Sequence, residues 1–178
     1  MLLGLSVAAQ YYLTGILSFN ALFSQLAVGS LINLFLILAT LMCGFLSGTA
    51  IATIVPFISF AIGRMPHFWL IPFVALGNVA MVFAFWQICK KEIFGASFTP
   101  NWIVSSLAGT VLKFAVLYFG VTKIFVNFIL VNDAALKAPQ IEKMAALISF
   151  NYSLPQIATA LIGCLLVYAI YPIVKKIN

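Results

Sequence analysis

Apolar residues gather along this chain into runs close to the length that crosses a bilayer, about 20 residues each, separated by short polar or Gly/Pro-bearing breaks. The runs cover residues 2–19, 26–43, a stretch ending at Ile62, 68–89, 102–131 and 154–174. They predict an all-α polytopic membrane protein: one transmembrane domain over residues 1–178, built as a bundle of six transmembrane helices. Residues 20–25 read as a polar break and the small residues of 44–49 as a tight turn, while Gly63, Pro66 and His67 punctuate the clearest loop. Pro56 should kink or break the third helix. Residues 132–151 are more polar, and Ile141, Met144, Ala145 and Ile148 would share one helical face there. A short interfacial helix is predicted, either a lid or a solvated connector.

The fifth run departs from an ordinary span because it contains Lys113 and Lys123. At about 100° per residue, Ser106, Gly109, Lys113, Gly120, Lys123 and Asn127 fall within an arc of roughly 100°. Leu107, Val111, Tyr118, Phe125 and Ile129 take the opposite side. An ammonium in hydrocarbon costs at least about 2.5 to 3.5 kcal/mol, so it normally faces a protein interior or a wet cavity. Snorkelling of the long stems is the plainer alternative. Two glycines and an asparagine on the same stripe favour a site for a polar, anionic small molecule, with Lys113 deep and Lys123 and Asn127 nearer the surface.

Other helices supply further candidates. Asn33 is placed toward the interior of the bundle, because a lipid-facing amide would lack partners. Gly77 and Asn78 offer close backbone approach and an amide that both donates and accepts; helix packing, with Ala80 and Ala84, is the alternative. Arg64, the only arginine, reads first as an interface anchor and is kept as a candidate substrate contact. His67, the only histidine, reads as interfacial, with no second metal-type ligand near it in sequence. Gly4 and Ala8, about one turn apart, would let another helix approach closely.

Composition narrows the class. Of the 178 residues 65% are hydrophobic and only 7% charged, against about 25% charged in soluble domains. No nucleotide-binding fold is therefore expected within the chain. The net charge of +6 is spread over loops, ends and one helix, and reads as topology. Cytoplasmic termini put Lys90, Lys91, Lys175 and Lys176 inside the cell membrane and Arg64, Lys137 and Lys143 outside, a bias of four to three. The pocket would then open to the exterior. Cys43, Cys89 and Cys164 lack metal-type spacing and read as inert buried thiols, so no metal or cofactor is expected. The first 20 residues have no basic start and no cleavage site, and read as a membrane helix. No basic tract interleaved with aromatics suggests nucleic acid.

Gly29-Ser30-Leu31-Ile32-Asn33, Cys43-Gly44-Phe45-Leu46-Ser47-Gly48 and Ile71-Pro72-Phe73-Val74-Ala75-Leu76-Gly77-Asn78 together resemble the substrate-binding S components of energy-coupling factor vitamin transporters. The resemblance extends to size and span number. It implies a six-helix protein, not an enzyme, that captures a vitamin or precursor from outside and joins a transmembrane coupling subunit and two ATPase subunits. That family's first helix often carries Ala-x-x-x-Ala for subunit contact, where this chain has Gly4-x-x-x-Ala8. Two other classes stand beside it. A small membrane enzyme would need a compact set of His, Asp, Glu or Cys, and only His67, Asp133 and Glu142 are well placed. A self-contained secondary transporter should show an internal repeat or intramembrane carboxylates, and the sequence has neither.

Overall fold

The break expected at residues 20–25 is the start of a helix. In the computed structural model, which describes residues 1–16, 20–95, 97–133 and 136–177, Asn20 has an extended backbone and its side chain accepts the Phe23 N–H at 3.0 Å. An asparagine there satisfies an orphan donor of the first turn, so α2 begins at Ala21, inside the expected break. The chain is all-α, with no strand among the described residues: α1 Leu2–Ile16, α2 Ala21–Cys43, α3 Phe45–Ala61, α4 Leu70–Lys90, α5 Phe98–Leu130, α6 Ala138–Asn151 and α7 Leu154–Ile177.

Proline placement explains several of these starts. Pro72, Pro100, Pro139 and Pro155 all fall in the first turn of their helices, where the missing N–H would have had no partner. Pro56 instead lies inside α3, which continues to Ala61. The helix therefore does not break at Pro56, and the turns before it are packed inward through Ile51, Ala52 and Val55. α3 then stops at Gly63. With φ at +74° this glycine adopts the left-handed conformation, its N–H bonding Phe60 O at 3.0 Å while Arg64 N–H bonds Ser59 O at 2.9 Å.

Four segments are long and apolar enough to cross a membrane: α2, α4, α5 and the arm Ala138–Lys176 that ends in α7. α1 and α3 are apolar but shorter, at 15 and 17 residues; residues 17–19 of the first predicted run lie outside the described residues. These helices are those of a multi-pass membrane protein. α2 sits at the centre, packed by α1, α3 and α7, while α4 lies between α3 and α5. Small residues let α2 and α7 meet closely: a Cβ at Gly163 would stand 2.6 Å from Asn33 Cβ, and one at Gly29 would stand 2.8 Å from Thr159 Cγ2. Buried hydroxyls of Ser30, Thr40 and Ser105 donate to carbonyls four residues back, so their polarity is satisfied within the helix.

α6 is the predicted interfacial helix. Ile148 is buried, Ile141, Met144 and Ala145 pack beside it on the end of α5, and Glu142 and Lys143 face out. At the other end of the bundle Lys90 Nζ donates to the Leu41 carbonyl at 2.9 Å and Lys91 Nζ lies 4.1 Å from the Trp86 ring centroid. Asn101 closes that loop, accepting from Phe94 N–H at 2.9 Å and donating to the Gly95 and Ser97 carbonyls. Of the thiols, Cys89 and Cys164 are buried, but Cys43 is exposed at the end of α2, contrary to expectation.

Candidate functional site

A cavity of about 470 Å³ opens at the end of the bundle that carries Arg64 and α6, within the size range of small-molecule sites. Its walls come from the first half of α2 (Gln25, Val28, Gly29, Ile32), the last turns of α3 (Val55, Pro56, Ser59), α4 (Val74, Asn78) and α5 (Lys113). The end of α6 and the start of α7 roof it through Leu147, Ile148, Asn151, Tyr152 and Gln156. The roof is tied down: Gln25 Nε2 donates to the Asn151 carbonyl at 2.9 Å, and Gln156 Nε2 to the same carbonyl at 3.3 Å. The last turn of α6 thus forms part of the cavity wall.

Lys113 is only 4% exposed, and its Nζ donates to Asn33 Oδ1 at 2.6 Å across 80 residues of chain. This lysine does not snorkel. Asn33 is itself fully buried, with its Nδ2 unpartnered. Asn78 is 3% exposed, lines the cavity and makes no side-chain hydrogen bond among the described residues. Gly77, beside it, serves packing: a Cβ there would meet Leu117 Cγ at 3.0 Å. Packing thus accounts for Gly77, and of the two residues only Asn78 lines the cavity. Arg64 lines the mouth, half-buried, where desolvation lowers its guanidinium pKa from the ordinary value and Tyr152 opposes the shift.

Lys123 and Asn127 do not join this site. Both are exposed; Lys123 Nζ lies 5.6 Å from the Tyr118 ring centroid and Asn127 Nδ2 donates to the Lys123 carbonyl at 2.9 Å. The cause is a change of helix type. From Tyr118 to Leu130 the helix is a π-helix, closing for instance with Val131 N–H on Val126 O at 3.3 Å. Bonds of the i→i+5 kind widen the turn, so inward positions recur every five residues: Gly120, Phe125 and Leu130, and beside them Val121 and Val126. Phe125, expected on the outer side, is fully buried. The predicted stripe holds through Gly120 and then rotates away.

One pairing had no local signal in the sequence. His67 Nε2 donates to Asp133 Oδ2 at 3.1 Å, Trp69 N–H donates to His67 Nδ1 at 3.3 Å, and the ring lies against Phe125. This pair ties the α3–α4 loop to the end of α5, which makes His67 a strut at the mouth. No group of three or more His, Cys, Asp or Glu is placed to hold a metal ion among the described residues. On α1, Gly4 is exposed and a Cβ there would meet nothing within 4 Å, while Ala8 is half-buried.

The class that fold and cavity define is an all-α, multi-pass membrane bundle with a cation-bearing cavity under one end. Protein-family models, curated proteins and solved structures alike yield no match to this chain.

Proposed function

We propose that the chain is the substrate-capturing membrane subunit of an energy-coupling factor importer, taking up a vitamin or related small anionic molecule. The observation that carries this reading is the roofed cavity with Lys113 in its wall and no acidic residue in its lining. An ammonium held out of water calls for an anion, and a ligand arriving from solution can bring one. The three motifs of α2, the α2–α3 junction and α4 point to the same family: Asn78 lies in the cavity wall, and Asn33 stands directly behind Lys113.

Transport in this reading depends on partners, a transmembrane coupling subunit and two ATPase subunits, as the family resemblance implies. The exposed Gly4 and half-buried Ala8 on α1 are where a coupling helix would approach. With cytoplasmic termini in the cell membrane, the cavity faces outward and the Lys90/Lys91 end faces the cytoplasm. Reconstitution tests the reading. The chain alone in vesicles should bind ligand without accumulating it, and uptake should require ATP and the partner subunits. Uptake by the chain alone at the rate of the full complex would reject it.

A further inference from the structure

We infer that the cavity receives a monocarboxylate with an apolar body: the carboxylate meets Lys113 and Asn78, and Asn33 sets the ammonium in place. This rests on the capture reading above and adds the ligand's chemical class. All three acidic residues of the chain are placed elsewhere. Glu92 lies at the far end, Asp133 is bonded to His67, and Glu142 is exposed on α6. Lys113 has no internal counter-ion, so one negative charge is missing from the cavity wall.

The donor count points to a carboxylate. Lys113 spends one of its three N–H donors on Asn33 Oδ1, leaving two. Asn78, nine-tenths buried and facing the cavity, has its amide free of protein hydrogen bonds among the described residues. That set matches a planar group with two oxygens and a single charge. A phosphate would bring up to two charges and three acceptor oxygens to the Lys113 ammonium, with Arg64, the cavity's other cation, on the α3–α4 loop at the mouth. Val28, Ile32, Val55, Val74 and Ile148 give the wall an apolar share, against which an aliphatic or aromatic body can be buried. Asn33 does not line the cavity; it is a positioning residue that fixes where Nζ stands.

The test uses the full chain in lipid nanodiscs and calorimetry with a homologous series of ω-phenylalkanoates, their primary carboxamides and the matched ω-phenylalkyl phosphates. The wild-type chain should bind the best carboxylate about 30-fold or more tighter than its carboxamide, the effect of leaving a buried charge unpaired. Phosphates should bind more weakly than carboxylates. Asn78→Ala should weaken the carboxylate by about 10-fold. Asn33→Asp gives Lys113 a carboxylate of its own and should cut the carboxylate-to-carboxamide ratio to about 3-fold or less, which a merely structural asparagine would not do. If that variant does not fold, Lys113→Met must remove the same preference. Equal binding of carboxylates and carboxamides, tighter binding of phosphates, no binding of any carboxylate, or an unchanged ratio in Asn33→Asp would each overturn the inference. Failure here with partner-dependent uptake intact leaves the capture reading standing. Partner-independent uptake with the carboxylate preference intact removes only that reading.

Discussion

Two lysines on one continuous helix have opposite fates, ten residues apart. Lys113, in the α-helical part of α5, is buried on Asn33; Lys123, in the π-helical part, is exposed beside Tyr118. Side-chain chemistry is the same in both. What differs is the number of residues per turn, which decides the face each one occupies. A polar stripe in an apolar helix is therefore a prediction of shared environment only as long as the helical period is constant.

The largest expected effect breaks the π-helical half. Phe125 is fully buried and packs against His67 at a centroid distance of 5.1 Å. Phe125→Ala should destabilise the protein by about 3 to 5 kcal/mol through the cavity it leaves, read as thermal unfolding in detergent. A loss below about 1 kcal/mol would mean that this half of α5 is not packed inward at Phe125. Lys113→Met comes next. It keeps most of the stem and removes the charge, and should weaken ligand binding by about 2 to 5 kcal/mol in a protein that still folds. Calorimetry showing wild-type affinity would mean that the amine serves structure alone. The smallest effect should come from Lys123→Met, with affinity and stability both within about 0.5 kcal/mol of wild type, as for surface changes away from special features. A tenfold loss of affinity there would erase the contrast between the two halves.

Much of the architecture was legible in the sequence, because span length and apolar content are strong, local signals. The six apolar runs and the amphipathic α6 each correspond to an observed helix. Asn33 and Lys113 were both placed inward for the same reason, that neither tolerates lipid, yet their mutual bond spans 80 residues and has no periodic signature. The first turn of α2 was misread as part of a break over residues 20–25, because a cap at Asn20 and the polar side chains of Ser24 and Gln25 read alike until the backbone conformation is known. Lys123, Asn127 and Phe125 were misplaced by a uniform 100° step, and the switch at Tyr118 has no composition that marks it. The His67–Asp133 contact joins residues 66 apart and was equally out of reach of local pattern.

The Asn33–Lys113 bond also sets an order of events when the chain is made. An isolated α5 entering the bilayer carries an ammonium near its middle, an insertion penalty of about 2.5 to 3.5 kcal/mol. α2 precedes α5 in the chain, so the Asn33 carbonyl is already in the membrane when Lys113 arrives. α7, which comes last, then closes over the pair through Gly163. Membrane integration of the fifth helix should therefore depend on the second, whose Asn33 is the hydrogen-bond partner of its buried amine.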